Sequence, residues 1–383
     1  MPSNTPRLDN QESNLILNGD FSLWQRGVTA NVITGSRVYL ADRFSVQNAL
    51  PSQTIVYSQS SDTPTVAQSG YQSPYSLMVA NSATPSTIGA SNFIHIKYRM
   101  EGLDYSRIHA KKVRIQFWAK SSVSGTYGFV IANTNDTRTY VTTFTINASA
   151  TWQKVVLDVQ LDTVTANWVF DNTHAFQINF ILSCGSSFQT SNVNQWQSAE
   201  FFSTAAQTQW ATTSSATFQI DQVMIIPQDF TLGGAANVDV PFQRAGRTIQ
   251  QELAMCQRYY TKSFPLLTAP QNGSGSGIWT GLFAGTYISS CTRAGPTNGF
   301  DGFNQIVGRE VTFPVSMRTA PTLVAYGTNA SNWFAYDTNG VVFGAAIMSG
   351  ACDRSFTPTL GALIGTTTAQ AQMGGHYTAD AEL

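Results

Sequence analysis

The chain has 383 residues, of which 42% are hydrophobic and 11% are charged, and its formal net charge at pH 7 is −1. A hydrophobic fraction of this size can bury a core, which excludes disorder caused by high net charge and low hydrophobicity. Nucleic-acid binding requires a basic stripe that neutralises phosphates, and the 21 basic residues form no such run.

Residues 1–13 are polar, and we expect an arm that is either flexible or held by a partner. The arm lacks the apolar core of a signal peptide, and no apolar stretch in the sequence reaches about 18 residues, so we expect cytosolic synthesis and no membrane insertion. The cysteines lie far apart in dissimilar contexts, which favours free thiols over a zinc site. They are Cys184, Cys256, Cys291 and Cys352.

Short runs of alternating polar and apolar residues follow one another between residues 14 and 228, separated by Gly, Asn, Ser and Thr. Alternation with period two, rich in β-branched and aromatic residues, is typical of strands with one buried face. Because no helical pattern lies between these runs, we predict a jelly-roll β-sandwich. Clear examples are residues 93–98, 113–118, 152–157, 176–182 and 218–225.

Residues 229–262 are predicted to form a linker rich in Gly, Ala and Asn, followed by a short connecting helix within residues 247–260. In this helix the apolar residues recur in steps of four, three and four, which places them on one stripe. Thr248 is a suitable N-cap, and we expect the charged neighbours Glu252, Arg258 and Lys262 to be solvated. The stripe residues are Ile249, Leu253, Cys256 and Tyr260.

Residues 263–383 form a second β segment that is rich in Gly and small residues, with a hairpin signal at Asn339–Gly340. Because the segment has few large hydrophobic residues, we expect its core to be completed between chains, which favours an oligomer. The sequence therefore predicts an all-β protein with an N-terminal jelly-roll β-sandwich, a short connecting helix and a Gly-rich C-terminal β domain.

The segment Asn14–Gly27, with the sequence NLILNGDFSLWQRG, resembles the opening of bacteriophage tail-fibre and receptor-binding structural proteins that begin with a carbohydrate-binding-module-like jelly roll. Later segments are similar to strands, a junction and a fibre tip of the same family, and they occur in the same order. These segments are residues 39–44, 116–121, 218–223, 241–244, 252–260 and 376–383.

The resemblance implies a virion location, a homotrimer, and non-catalytic attachment to carbohydrate on the host surface. Since the arm at residues 1–13 is too short for a complete anchor domain, we expect another virion protein to hold it, with residues 263–383 as the distal tip. Two alternatives stay open: a purely structural virion component, such as a head fibre, baseplate or capsid decoration, and a polysaccharide-cleaving tail protein. The absence of a G-x-S-x-G or H-E-x-x-H motif favours a protein that is not an enzyme.

Carbohydrates are bound by stacking on aromatic rings, while amide and charged groups contact the hydroxyls. Alternation turns a set of suitable side chains outward on three predicted strands, and we predict that they line one face of the jelly roll with Trp118 as the platform. The alternatives are that Trp118 packs beneath a loop or that a neighbouring subunit covers the face. The residues are His95 and Lys97 on one strand, Arg114, Gln116 and Trp118 on the next, and Asn179 on a third.

The resemblance also implies a structural calcium ion where the first and last strands of the jelly roll meet, and Asp20 and Asp221 occupy those positions. Carboxylate oxygens are suitable calcium ligands. The family has an acidic residue after the Phe of this turn, whereas this chain has Ser22. The alternative is that Asp20 only makes a hydrogen bond within the turn. No other cofactor is expected.

Overall fold

The computed structural model describes residues 14–82, 87–227, 240–272, 287–294, 305–307, 309–327, 333–337, 342–360 and 370–383. The chain divides into two compact units, of which the second comprises residues 25–27 and 253–382. The expected arm at residues 1–13, the linker residues 229–239 and the hairpin turn Asn339–Gly340 lie outside the described residues.

The described part of the first unit contains thirteen strands. They are β1 (Thr29–Ile33), β2 (Arg37–Tyr39), β3 (Phe44–Asn48), β4 (Thr54–Ser60), β5 (Ser76–Asn81), β6 (Phe93–Glu101), β7 (Lys112–Ser121), β8 (Gly125–Asn133), β9 (Thr139–Ile146), β10 (Gln153–Gln160), β11 (His174–Cys184), β12 (Trp196–Gln197) and β13 (Thr217–Pro227). Two one-turn helices, α1 (Val66–Ser69) and α2 (Gly102–Tyr105), lie in the connections.

These strands form two antiparallel sheets. The six-stranded sheet has the order β1-β4-β5-β13-β7-β10, and the seven-stranded sheet has the order β12-β9-β8-β11-β6-β3-β2. Neighbouring strands in the chain repeatedly belong to different sheets, which is the arrangement of a jelly-roll sandwich. The predicted all-β fold is confirmed.

The core of the first unit lies between the two sheets and is rich in aromatic rings. Phe117 of β7 stacks on Phe129 of β8 with a centroid distance of 5.5 Å and meets Phe180 of β11 edge-on at 4.9 Å. Aromatic pairs in these geometries add about 0.5–1.5 kcal/mol to the stabilisation from burial alone. The predicted alternation is therefore correct at these strands, because their apolar members point into the sandwich.

The connecting helix α3 spans Ile249–Gln257 and is shorter than the predicted segment 247–260. Thr248 caps it as predicted: its Oγ1 accepts a hydrogen bond from the backbone N–H of Gln251 at 3.3 Å, and its own N–H donates to Gln251 Oε1 at 2.8 Å. This reciprocal pair is a capping box, which satisfies two backbone donors that the helix itself leaves unpaired.

Lys262 is 9% exposed and Glu252 is 1% exposed, so the expectation that these two residues are solvated was wrong. The carboxylate of Glu252 accepts a hydrogen bond from the backbone N–H of Asn18 at 2.6 Å and pairs with the guanidinium of Arg247. The same guanidinium donates to the carbonyls of Asn14 and Ile16, each at 3.1 Å. Asn18 lies 234 positions from Glu252 along the chain, which explains why the helical pattern did not indicate the burial.

The described part of the second unit contains nine strands. They are β14 (Tyr260–Lys262), β15 (Tyr287–Ala294), β16 (Gln305–Val307), β17 (Val311–Thr312), β18 (Thr322–Tyr326), β19 (Trp333–Asp337), β20 (Val342–Ser349), β21 (Ser355–Leu360) and β22 (Gln370–Asp380).

Strand β22 organises this unit, because it pairs with β14, β15, β18 and β19. Since β19 pairs with both β20 and β22, the pairings β22-β15-β16-β21-β20-β19 close into a ring. Trp333, Phe356 and Tyr377 lie in a small apolar core within this unit. Among all described residues, no helix has the length and hydropathy needed to cross a membrane.

Candidate functional site

The six residues predicted to line one sugar-binding face lie in two different sheets. His95, Lys97 and Asn179 belong to the seven-stranded sheet, whereas β7, with Arg114, Gln116 and Trp118, belongs to the six-stranded sheet. The prediction of one shared face was wrong because the chain changes sheets between β6 and β7. Alternation shows which side of a strand faces the core, but it does not show which sheet the strand joins.

The three side chains on β7 are buried, and two of them are held by hydrogen bonds within the protein. Trp118 is only 8% exposed, so it offers no open platform. Gln116 Nε2 donates to the carbonyl of Val240 at 2.6 Å, and Arg114 makes two hydrogen bonds to the carboxylate of Asp158, at 2.8 and 2.9 Å. We therefore assign these residues a structural role.

The other three predicted residues come together on the outer face of the seven-stranded sheet. Pairing places Lys97 beside Asn179 on one side and Ser45 on the other, and it places His95 opposite Gln47. Their strand neighbours Ile94, Ile96 and Tyr98 lie in the sandwich core, so His95 and Lys97 point away from it, as predicted. We call this group the polar cluster. Its members are Gln47, His95, Lys97, Asp136, Gln177 and Asn179.

Sequence reasoning missed Asp136 and Gln177. Asp136 lies in the turn between β8 and β9, where its φ of 55° is left-handed, and its Oδ2 is 3.8 Å from Lys97 Nζ. Gln177 Nε2 donates to Asp136 Oδ1 at 2.5 Å. The position of Gln177 two residues before Asn179 on the same strand was a usable signal. No sequence pattern indicated Asp136, because its position depends on how the β8–β9 turn folds over the sheet.

Burial sets the protonation behaviour of the polar cluster. It lowers the pKa of Lys97 to about 8, although Asp136 opposes the shift and Arg99 adds to it. It raises the pKa of Asp136, which Lys97 partly offsets. It lowers the pKa of His95 well below its usual range, and the positive charge of Lys97 lowers it further. The imidazole of His95 is therefore neutral near pH 7.

Several buried polar atoms of the cluster have no hydrogen-bond partner among the described residues. These atoms are Nδ2 and Oδ1 of Asn179, Oε1 of Gln177 and Nδ1 of His95. Buried polar groups in folded proteins are nearly always paired, and an unpaired one costs about 1–3 kcal/mol. Because an amide both donates and accepts, these atoms are suited to a ligand with hydroxyl groups.

Two features border the polar cluster. The ring of Phe93 stacks on His95 with a centroid distance of 4.9 Å, and Phe202 meets His95 edge-on at 5.7 Å. On another side, Asp136 is partly exposed and Glu200 is exposed, which marks the open edge of the cluster. The carboxylates are therefore nearer to solvent than the amides of Gln177 and Asn179, which are fully buried.

Burial raises the pKa of Asp221, and the charge of Asp20 raises it further, so the two predicted calcium ligands lie within electrostatic range of each other. Asp20 is fully buried, and its Oδ2 accepts hydrogen bonds from Ser22 Oγ at 2.8 Å and Tyr71 Oη at 2.7 Å. The guanidinium of Arg244 also donates to this oxygen. The hydrogen bond from Ser22 is the turn interaction that was the alternative to a metal.

The donors at Asp20 and Asp221 do not fit calcium well. One oxygen of each carboxylate, Asp20 Oδ1 and Asp221 Oδ2, has no partner among the described residues, which would suit a cation. Calcium, however, takes 6–8 oxygen ligands, and Arg244 already supplies a positive charge here. Burial raises the pKa of Asp221 well above its usual range, which favours its neutral form. Within the described ranges, no three His, Cys, Asp or Glu residues are grouped to hold a metal ion.

No protein-family model and no curated protein sequence matches the chain. Similar solved structures include the family 11 carbohydrate-binding module from Clostridium thermocellum in complex with a β-1,3-1,4-mixed-linked tetrasaccharide, with 12% identity, a TM-score of 0.27, and coverage of 52% of this chain and 96% of the module. The C-terminal family 22 carbohydrate-binding module of Clostridium thermocellum Xyn10B has 9% identity, a TM-score of 0.29, and coverage of 58% and 98%.

The enzymatically active domain of bacteriophage CBA120 tailspike protein 4 is also similar, with 11% identity and a TM-score of 0.28. The match covers 59% of this chain and 24% of the tailspike chain. TM-scores this low carry no inference about ligand, activity or assembly. The all-β sandwich is established by the strands and sheets of the chain itself.

Proposed function

We propose that the protein is a non-catalytic, carbohydrate-binding component of a phage virion and that it holds a glycan at the polar cluster. The unpaired amide of Asn179 carries this proposal. It is fully buried, and neither of its polar atoms has a partner among the described residues, so a glycan reaches this amide only if the side chains that cover it move aside. A sugar hydroxyl donates and accepts at once, so a pair of adjacent hydroxyls would satisfy both atoms.

The surroundings of Asn179 support a carbohydrate ligand. Lys97 and Asp136 form an ion pair next to it, and charge-assisted hydrogen bonds to hydroxyls are stronger than neutral ones. The partly exposed ring of Phe93 supplies apolar surface at the edge of the cluster, as expected where the apolar face of a sugar ring is accommodated, and the buried ring of Phe202 packs against it.

The test replaces Asn179 with Leu, which has nearly the same size but no polar atoms. Because the amide is unpaired, we expect N179L to be as stable as the wild type or more stable, while glycan binding falls at least about tenfold. Binding is measured on an array of bacterial surface glycans and by calorimetry. The control is Asn147→Leu at an exposed position. Unchanged affinity in N179L would show that the polar cluster is not the site.

The virion role rests on the sequence resemblance of the opening segment Asn14–Gly27 to phage fibre proteins. We propose a homotrimer whose N-terminal arm is held by another virion protein. Sedimentation equilibrium of the purified chain tests the assembly, because a monomer would contradict a fibre. Normal trimers that bind no glycan at millimolar concentration would instead support the alternative of a purely structural virion component.

One observation favours glycan cleavage as a second candidate function. Burial raises the pKa of both Asp136 and Glu200, and the charge of Asp136 raises that of Glu200 further. Glycosidases use two carboxyl groups about 5–10 Å apart, one of them with a raised pKa. We expect no release of reducing ends from host polysaccharide, because Asp136 is held by Lys97 and Gln177. Release that is lost in Asp136→Asn would establish the enzyme.

A further inference from the structure

The second unit contains a groove of about 600 Å³ that no sequence pattern indicated. All of its lining residues belong to this unit. Pockets for small ligands commonly measure about 300–1,000 Å³, so the groove has room for one or two sugar rings. The lining residues are Arg26, Tyr260, Pro270, Thr322, Val324, Tyr326, Thr378, Asp380 and Glu382.

The groove lies on the outer face of the three strands β14, β22 and β18. Strand β18 pairs with β22 so that Thr322 is opposite Asp380 and Val324 is opposite Thr378. The alternate residues of β18 and β22 pack on the core of the unit, which leaves these four side chains on the groove side. The floor of the groove is therefore a rigid sheet rather than a loop.

Charged side chains lie at one end of the groove. The guanidinium of Arg26 lies 3.7 Å from the ring centroid of Tyr260, and its Nη2 donates to Asp380 at 3.2 Å and to Glu382 at 3.3 Å. The side chain of Asp380 is nevertheless 42% exposed, so its carboxylate faces the groove. Arg318 also donates hydrogen bonds to the carbonyl of Ala381 at 2.9 Å and to that of Glu382 at 3.4 Å, so the two carboxylates at this end lie beside two guanidinium groups.

The other end is aromatic. Phe264 meets Tyr326 edge-on at 5.3 Å and stacks on His376 at 4.0 Å, which holds the ring of Tyr326 in place. Lys262 Nζ donates to the carbonyls of Leu266 at 2.9 Å and Thr268 at 2.6 Å, and this fixes the loop that leads to Pro270. Val324 is 40% exposed on the floor between the two ends.

We propose that this groove binds a hexose unit of a neutral glycan, as a second saccharide site that is separate from the polar cluster. The partly exposed ring of Tyr326 and the side chain of Val324 meet the apolar face of the sugar. The Thr322 hydroxyl and the Asp380 carboxylate lie on the same sheet face, at the distance of paired residues, and contact its hydroxyls. The site does not depend on the function proposed for the polar cluster.

The experiment is saturation-transfer NMR of the full chain with a panel of millimolar sugars: glucose, galactose, mannose, rhamnose and N-acetylglucosamine. Thr322→Trp fills the groove at an exposed position, and the control Thr312→Trp places the same ring on exposed β17, outside the groove. Circular dichroism melting verifies that both variants fold. We expect at least one sugar to give a signal that falls at least about twofold in T322W and not in T312W.

Asn179→Leu separates this site from the polar cluster, because a signal that survives in N179L and falls in T322W belongs to the groove. If N179L removes the whole signal and T322W has no effect, the groove proposal is wrong while the function proposed for the polar cluster stands. The groove proposal is also wrong if no sugar of the panel gives a saturation-transfer signal with the wild-type protein.

Discussion

The guanidinium of Arg244 donates to the buried carboxylate of Asp20, although the two residues lie 224 positions apart in the sequence. The same Nη2 atom donates to Ser22 Oγ at 2.7 Å, and Tyr71 Oη donates to the carboxylate from a third segment of the chain. The ion pair therefore joins the opening turn of the sandwich to the segment that follows its last strand.

Replacement of Arg244 by Ala should lower the free energy of unfolding by about 2–3 kcal/mol. Removing one partner of a buried pair costs about 3–5 kcal/mol, and the lower range applies because the Arg244 side chain is 24% exposed. Urea unfolding at pH 7 measures the change, with exposed Arg107→Ala as the control. A loss in R244A no larger than in R107A would mean that the pair does not stabilise the sandwich.

The melting temperature of the wild-type protein should not depend on calcium. A cation that bound only the folded state at 100 times its Kd would add about 2.7 kcal/mol of stability. With Arg244 on Asp20 and the neutral form favoured at Asp221, we expect calorimetric scans in EDTA and in millimolar calcium chloride to agree within about 1 °C. Magnesium chloride at equal ionic strength is the control. A rise of several degrees in the melting temperature with calcium, but not with magnesium, would show that Asp20 and Asp221 bind calcium.

The sequence predicted the fold better than the site, for a physical reason. The local alternation of polar and apolar residues shows which face of a strand is buried, and so it predicted that Phe117 points into the core. The choice of sheet depends on long-range pairing, and so the separation of Trp118 from Lys97 could not be read. The family resemblance implied that Asp20 and Asp221 lie close together. The ion pair between Arg244 and Asp20 could not be predicted, because no local sequence pattern indicates a contact between segments so far apart in the chain.

Trp118 should matter for stability and not for glycan binding. Its side chain is buried in the six-stranded sheet, and truncation of a buried aromatic residue costs about 3–5 kcal/mol. We expect Trp118→Leu to lose about 2–3 kcal/mol, since leucine keeps part of the packing, and to bind glycans with wild-type affinity on the same array. Gln116→Leu is a second variant on this strand with the same expected binding. Weaker glycan binding in a folded W118L would indicate that the binding site lies at Trp118 on the six-stranded sheet.

Acid should destabilise the first unit through histidines whose pKa is lowered in the folded protein, such as the partly buried His174. Burial lowers the pKa of His174 to about 2, and the positive charges of Arg99 and Lys97 contribute. Above pH 6.5 neither the folded nor the unfolded chain protonates this imidazole, so the stability is fully present. As pH falls from about 6.5 towards 2, only the unfolded chain binds the proton, and the free energy of unfolding decreases by up to about 1.4 kcal/mol per pH unit.

The raised pKa of Asp136 acts in the opposite direction, because its folded form binds a proton more readily than the unfolded chain as the pH falls. The contribution of His174 is therefore isolated by difference: His174→Gln should reduce the slope of unfolding free energy against pH between about 6 and 4.5 by about 1 kcal/mol per pH unit. Urea unfolding across this range measures both slopes, with the substitution Asn147→Gln, which exchanges one exposed amide for another, as the control. Equal slopes in H174Q and wild type would mean that His174 takes up its proton in the folded protein as readily as in the unfolded chain.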